Sequence, residues 1–224
     1  MEILFEDNHL IAVNKPFGMP SQGDNTGDQP VVDWVEQYIR ETYQKPGNVY
    51  TALLHRLDRP TGGVLLLAKT SKAAARVSSA FQQRKVQKTY LALALSTPRH
   101  PAGSLRHFLD RVDGRNIMRA HGQERPGRQE ARLSYEVVAT AGERALIQVR
   151  PETGRRHQIR VQLARIGCPL SGDLKYGAPS PHADRSIGLF AWKLELMHPV
   201  RKEPLLITAP YPEGAPWSDF SLPL

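Results

Sequence analysis

The amino-acid sequence predicts an α+β protein in which strands are interspersed with helices. Three patterns lead to this prediction. Residues 64–68 form an unbroken apolar run, which is typical of a strand buried on both faces. Apolar residues recur at helical spacing within 30–43 and again within 73–81. Residues 132–140 and 144–150 have the pattern of two antiparallel strands that turn at Ala141-Gly142.

The N-terminal part of the chain predicts two short strands, a loop and a helix. The strands are joined by a turn and cover Glu2–Asp7 and His9–Asn14. A loop rich in Pro, Gly and Asp follows, and we expect Asp28 to cap a helix over 30–43. Trp34 and Tyr38 belong to its apolar stripe, so we interpret them as core residues, with base stacking as the alternative.

The remaining elements follow from the same signals. A second helix is expected to begin at Thr70 or Ser71, and a strand covers Lys88–Leu95. Thr153 is expected to cap a third helix, on which Arg156 and Arg160 are four residues apart and share a face. Strands over 187–197 and 205–208 complete the prediction.

The charge of the chain indicates a polyanionic partner. Its 224 residues carry a formal net charge of +8. Basic residues crowd positions 84–88 and 99–132 and return at 150–165, whereas acidic residues are denser in 1–41. Clustered positive charge is typical of nucleic-acid binding, although a basic surface kept for solubility is the alternative.

Composition also indicates the cellular compartment in which we expect the protein. No apolar run approaches the roughly 20 residues that span a bilayer, and the acidic N-terminus does not resemble a signal peptide. A single cysteine, Cys168, excludes an intramolecular disulfide and is interpreted as a small buried hydrophobe. We expect a cytoplasmic protein that has no membrane partner and is a monomer by default.

One stretch contains the candidate reactive carboxylate. It is His55-Arg56-Leu57-Asp58-Arg59-Pro60-Thr61-Gly62-Gly63, and it leads directly into the buried strand. Its carboxylate, Asp58, lies between Arg56 and Arg59, and neighbouring cations favour the ionised form of a carboxyl group. An aspartate among arginines is also found in purely structural ion pairs. The residues of this stretch alone therefore leave both interpretations open.

This stretch resembles the motif of the RluA-type pseudouridine synthases. Companion motifs support the resemblance from about residue 2 to residue 212, at Asn14-Lys15-Pro16, Lys88-Thr89-Tyr90, Thr153-Gly154-Arg155-Arg156-His157-Gln158-Ile159-Arg160, Gly172-Asp173 with Lys175-Tyr176-Gly177, and His198-Pro199. One departure is Gly62, where the family usually has serine. The resemblance implies one catalytic domain over 1–224, without the additional N-terminal RNA-binding domain of many relatives. It also implies a mixed, mainly antiparallel sheet, packed helices and a central RNA-binding cleft.

The resemblance implies roles for Asp58, Arg160, Tyr90 and Arg56, and the clustered positive charge adds further expected RNA contacts. Asp58 is the expected nucleophile, and attack on the sugar or on the base is left open. Arg160 is expected to pair with Asp58. Tyr90 is expected to pack near the target base, with a role as general base left open. Arg56 is expected to fill the space of a flipped uridine, and the remaining RNA contacts are expected at Arg155, His157, Arg115 and Arg119.

The region 96–130 is expected to form a basic hairpin, with strands at 105–110 and 116–120, that contacts RNA phosphates. A solvated loop is the alternative.

No zinc-ligand spacing, phosphate-binding glycine loop or Gly-x-Ser-x-Gly motif is present, so we expect neither metal nor cofactor. The expected reaction is isomerisation of specific uridines in a stem-loop of ribosomal or transfer RNA. Two alternatives are a non-catalytic RNA-binding module and a nucleoside-bond hydrolase, for which Asp173 could supply a second carboxylate.

Overall fold

The computed structural model describes residues 1–24 and 26–220. Contacts within the chain group them into two compact units. The first unit comprises 1–86 and 191–210, and the second comprises 87–190 and the chain from Tyr211 onward.

The described residues form strands and α-helices in this order: β1 (Glu2–Glu6), β2 (Leu10–Lys15), α1 (Val31–Thr42), β3 (Ala52–Leu53), β4 (Gly62–Ala68), α2 (Ser71–Gln82), β5 (Gln87–Ala94), β6 (Ala102–Arg111), β7 (Met118–His121), β8 (Gln129–Ala141), β9 (Arg144–Pro151), α3 (Gln158–Arg165), β10 (Leu189–Met197) and β11 (Pro204–Thr208). The predicted α+β class is therefore confirmed, as is the mixed, mainly antiparallel sheet with packed helices. None of these helices is long and apolar enough to cross a membrane.

The first unit is built around two buried strands. β2 pairs antiparallel with β1 on one side and with β4 on the other. Every residue of β4 is buried, as the unbroken apolar run predicts. Thr70 caps α2 by accepting a hydrogen bond from the N–H of Ala73, which confirms that prediction.

Helix α1 differs from the prediction at its start and along one edge. The N-cap position is Pro30, and no side chain caps the helix, so the cap predicted at Asp28 is wrong. The buried stripe consists of Val31, Val35 and Ile39. Trp34 and Tyr38 are only half-buried, and their rings stack with an interplanar angle of 5° at the edge of the stripe.

In the second unit the strands have the order β5-β9-β8-β6-β7, with antiparallel neighbours. The predicted basic hairpin is confirmed as β6 and β7, and the long pair β8 and β9 turns at Gly142. Helix α3 packs on this sheet, with Ile159 and Leu163 in the apolar core and Cys168 buried beside them.

The start of α3 shows that a second predicted helix cap, at Thr153, is wrong. The helix begins at Gln158, after His157, whose backbone φ is 51°. Thr153 instead accepts a hydrogen bond from the N–H of Arg132 and donates one to Oε1 of Gln158. Arg156 precedes the helix, so the prediction that it shares a helical face with Arg160 is wrong. The single domain over 1–224 and the central cleft stay predictions.

Candidate active site

Asp58 lies in the loop between β3 and β4, immediately before a turn. The N–H of Thr61 donates to the carbonyl of Asp58 at 2.9 Å, which closes the turn into β4. His55, at the start of the same stretch, accepts a hydrogen bond from the N–H of Leu66 at its Nε2 atom, at 3.1 Å. The stretch around Asp58 is therefore bonded to the buried strand through His55, and its own turn leads directly into that strand.

A buried serine holds the residue before Asp58. The hydroxyl of Ser21 donates to the carbonyl of Leu57 at 2.9 Å and accepts from its N–H at 3.1 Å. Ser21 and Leu57 are both buried. Because both polar groups of the Leu57 backbone are satisfied by one side chain, the backbone that carries Asp58 has little freedom to move.

Lys15 holds the residue after Asp58, and the sequence named it only as part of the Asn14-Lys15-Pro16 motif. Its side chain is 1% exposed. Its ammonium group donates to the carbonyls of Pro16, Met19 and Arg59 at 2.9, 2.6 and 3.2 Å, using all three of its hydrogens. Burial lowers the pKa of Lys15 to about 7, while the negative charge of Asp58 opposes this shift. The available signal was the position of Lys15 at the end of a strand with four consecutive apolar residues, Leu10–Val13.

The two arginines beside Asp58, Arg56 and Arg59, lie in different surroundings. The guanidinium of Arg59 forms ion pairs with Asp24 and Asp28 and donates to the hydroxyl of Thr26 at 2.8 Å. Arg59 therefore fastens the loop of residues 24–28, and this is the role that Asp28 has in place of a helix cap. Arg56 is exposed.

The Gly62 departure has a steric explanation. A Cβ atom at Gly62 would lie 3.1 Å from the Phe17 ring and 3.2 Å from the carbonyl oxygen of Lys15. A serine here would require the Phe17 ring to move. At Gly63, whose φ is 105°, a Cβ atom would lie 2.2 Å from the carbonyl oxygen of Ala191, so only glycine fits.

In the second unit, Arg160 is buried on α3 and bound by Asp173. Its Nε and Nη2 atoms donate to the two carboxylate oxygens of Asp173 at 2.7 and 2.8 Å. The exposed fractions of the two side chains are 4% and 1%. This two-bond geometry is the strongest that an arginine forms with a carboxylate, and it fixes the plane of the guanidinium.

Tyr176 extends this cluster. Its hydroxyl accepts a hydrogen bond from the N–H of Met118 at 2.8 Å and lies 2.8 Å from Nδ1 of His157. The guanidinium carbon of Arg160 lies 5.2 Å from the centroid of the Tyr176 ring. Since the N–H of Met118 uses a lone pair of the hydroxyl, the hydroxyl hydrogen is available to Nδ1 of His157. Sequence reasoning noted Tyr176 only as part of a motif.

The other predicted residues are distributed over the second unit. Tyr90 is half-buried on β5 and packs against the apolar core, opposite Val149 of β9. His157 is buried, and Arg155 donates from Nε to the carbonyl of Glu130 at 3.0 Å. The structure thus places Asp58 and Arg56 in the first unit, and it places Tyr90, Arg115, Arg119, Arg155, His157 and Arg160 in the second.

The basic hairpin contains both paired and exposed cations. Arg106 and Arg132 form ion pairs with Glu130, each at 2.6 Å. Arg115 and Arg119 are exposed, and within residues 1–24 and 26–220 the guanidinium of neither forms an ion pair. Charges of this kind are available to phosphates.

Comparison with known proteins identifies the family. A family model described as RNA pseudouridylate synthase matches residues 9–165. The chain belongs to the RNA pseudouridylate synthase family. It is therefore an RNA pseudouridine synthase, an isomerase, and the resemblance drawn from its motifs is confirmed.

Relatives of this synthase match over most of its length. It is 35% identical to an uncharacterized RNA pseudouridine synthase, YhcT, of Bacillus subtilis, over 95% of this chain and 69% of that protein. It is 36% identical to ribosomal large subunit pseudouridine synthase D of Nitrosomonas europaea, over 95% of this chain and 62% of that protein. It is 34% identical to tRNA pseudouridine synthase C of Salmonella typhimurium, over 93% of this chain and 85% of that protein.

The fold agrees with a solved member of the family. The structure of human RNA pseudouridylate synthase domain containing 4 superimposes with a TM-score of 0.78 at 27% sequence identity. The match covers 94% of this synthase and 88% of the human chain.

Proposed function

We propose that this synthase converts specific uridines of structured ribosomal or transfer RNA to pseudouridine, with Asp58 as the nucleophile. The observation that carries the proposal is the rigid backbone on both sides of Asp58. Ser21 binds the backbone of Leu57, and Lys15 binds the carbonyl of Arg59. A nucleophile held in place before substrate binds does not need to be ordered during the reaction.

The reaction breaks the N-glycosidic bond between N1 of uracil and C1′ of ribose. The uracil stays bound, rotates and rejoins C1′ through C5, so that C5 loses a proton and N1 gains one. Attack of the Asp58 carboxylate on C1′ and its attack on the uracil ring are both compatible with this balance. No electron is gained or lost, and the proposed reaction uses neither metal nor cofactor.

The other site residues receive roles from their family motifs or, for Arg115 and Arg119, from their exposed positive charge on the basic hairpin. We assign Arg160 to pair with Asp58, and its guanidinium is oriented for a further contact by Asp173. Tyr90 is assigned to pack against the target base. A uridine stacked in a helix is out of reach, so the base is flipped, and Arg56 takes its place. Arg115, Arg119 and Arg155 contact phosphates, whereas His157 is buried and acts through Tyr176.

The two alternative functions fit the structure less well. A hydrolase of nucleoside bonds needs a second carboxylate that acts as acid or base. Asp173, the candidate for that role, is committed to Arg160 in a buried ion pair. A non-catalytic RNA-binding module has no need of a backbone fastened on both sides of Asp58. A cytoplasmic location and a monomeric state stay predictions.

The test compares RNA from cells that lack the gene with RNA from cells complemented by variants, using a chemical label specific for pseudouridine. Wild-type protein should restore label at a defined uridine, and Asp58→Asn should not, while the purified variant keeps its RNA affinity. Asp33→Asn, an exposed aspartate on α1, is the matched control and should restore the label. Modification by Asp58→Asn would refute the role of Asp58, and release of free uracil by wild type would indicate hydrolysis.

A further inference from the structure

Tyr176 occupies a position between the basic hairpin and the helix that carries Arg160. It ends a short 3-10 turn, Leu174–Tyr176, that directly follows Asp173. Met118, whose N–H binds the Tyr176 hydroxyl, is the first residue of β7. Because β7 is the last strand in the order of this unit, the Tyr176 hydroxyl takes the place of a missing strand partner for that N–H.

The same side chain contacts Arg160 through its ring. The carboxylate of Asp173 binds the guanidinium edge, and the Tyr176 ring lies 5.2 Å from the guanidinium carbon. An aromatic face at this distance attracts a cation. Asp173 and Tyr176 therefore both contribute to the position of the Arg160 guanidinium.

A second contact joins this turn to the hairpin. Lys175, next to Tyr176, donates from Nζ to the carbonyl of Asn116 at 3.4 Å. Asn116 and Met118 lie between the exposed Arg115 and Arg119 in sequence. A shift of this part of the hairpin therefore reaches Tyr176 at two points, and it reaches Arg160 through the Tyr176 ring.

We propose that Tyr176 is a positioning residue that couples the basic hairpin to Arg160. This inference rests on the proposed function, in which the hairpin binds RNA phosphates and Arg160 serves the reaction. RNA bound at Arg119 fixes the position of β7, and the N–H of Met118 on β7 binds the Tyr176 hydroxyl. The Tyr176 ring then keeps the Arg160 guanidinium in the position that the reaction requires. A change at Tyr176 therefore alters how Arg160 responds to RNA.

The first test removes only the Tyr176 hydroxyl. Tyr176→Phe keeps the ring beside Arg160 but loses the bonds to Met118 and His157. With enzyme in excess over substrate RNA, the single-turnover rate should fall about tenfold, which corresponds to about 1.4 kcal/mol. RNA affinity should stay within twofold of wild type.

A matched control is Tyr211→Phe. Tyr211 is also half-buried in the second unit, and its hydroxyl donates to the carbonyl of Trp217 at 2.9 Å. Both variants lose a hydroxyl bonded to backbone, so both should lose a similar amount of stability. The single-turnover rate should fall only for Tyr176→Phe, and equal rates for the two variants would overturn the proposal.

A double-mutant cycle distinguishes coupling from a local structural role. Arg119→Gln should lower both RNA affinity and the single-turnover rate in the wild-type background. In the Tyr176→Phe background it should lower affinity as before but lower the rate much less than in wild type, because the bond to the Met118 N–H is lost and only the contact between Lys175 and Asn116 remains. Rate effects that multiply independently would refute the coupling.

The NMR signal of the Arg160 Nε–H group supplies a readout that does not depend on turnover. Adding RNA should shift this signal in wild type and in Tyr211→Phe, but at most weakly in Tyr176→Phe. An equal RNA-induced shift in all three proteins would overturn the proposal. Absence of pseudouridine formation by wild type would count against the proposed function, and the NMR comparison would still decide the coupling.

Discussion

Replacing Asp173 with asparagine should strongly destabilise the second unit. The substitution keeps the volume of the side chain but removes the negative charge that Arg160 faces. Both side chains are almost fully buried, at 4% and 1% exposed, and they share two hydrogen bonds of 2.7 and 2.8 Å. Removing one partner of such a pair leaves a buried charge uncompensated, which typically costs about 3–5 kcal/mol.

The size of this effect is measurable by urea and thermal unfolding. For a chain of this length each kcal/mol lowers the melting temperature by about 2–4 °C, so Asp173→Asn should melt roughly 6–20 °C below wild type. A matched control is Asp219→Asn, which breaks the exposed ion pair between Asp219 and Arg144, at 2.8 Å. These side chains are 42% and 40% exposed, so the control should cost no more than about 1 kcal/mol.

The same variant tests what the ion pair does for catalysis. Without Asp173 the plane of the Arg160 guanidinium is no longer fixed, so pseudouridine formation should fall at a temperature where the variant is still folded. Replacing both residues with apolar side chains, as Arg160→Met with Asp173→Leu, should recover much of the stability but none of the activity. An Asp173→Asn protein that unfolds like Asp219→Asn would refute the argument.

Two further predictions concern the loop that carries Asp58. Burial lowers the pKa of Lys15 in the folded protein to about 7, from 10.5 in the unfolded chain, so the unfolded state binds more protons between these pH values. The stability of wild type relative to Lys15→Met should therefore rise with pH across this window, by up to ~1.4 kcal/mol per pH unit. Lys72 is exposed, so urea titrations should show no such slope for Lys72→Met. A stability difference between wild type and Lys15→Met that does not change with pH would contradict the lowered pKa of Lys15. Gly62→Ser should cost about 1–3 kcal/mol because its Cβ meets the Phe17 ring. Adding Phe17→Leu should relieve part of this cost in a double-mutant cycle, and additive losses would exclude the ring as the cause.

The sequence by itself determined the class of the fold, the order of most elements and the family. Burial on both faces of β4 follows from one unbroken apolar run, and the cap of α2 follows from Thr70, because these signals lie within a single element. The motif around Asp58 and its companions were equally readable. They combine several residue types in short windows, and family membership followed from them.

The tertiary structure decided which long side chains meet. Arg59 pairs with Asp24 and Asp28 of the preceding loop, and Arg160 pairs with Asp173, which is 13 residues away. Periodicity reports which face of an element is buried, but it holds no information on distances between groups far apart in the chain.

The two misplaced helix caps have the same origin. Asp28 and Thr153 are both good capping residues, yet each binds another partner. Asp28 forms an ion pair with Arg59. Thr153 forms hydrogen bonds with the backbone of Arg132 and the side chain of Gln158. A local capping preference is worth only about 1 kcal/mol. An ion pair or a buried hydrogen bond supplied by a distant part of the chain is sufficient to override it.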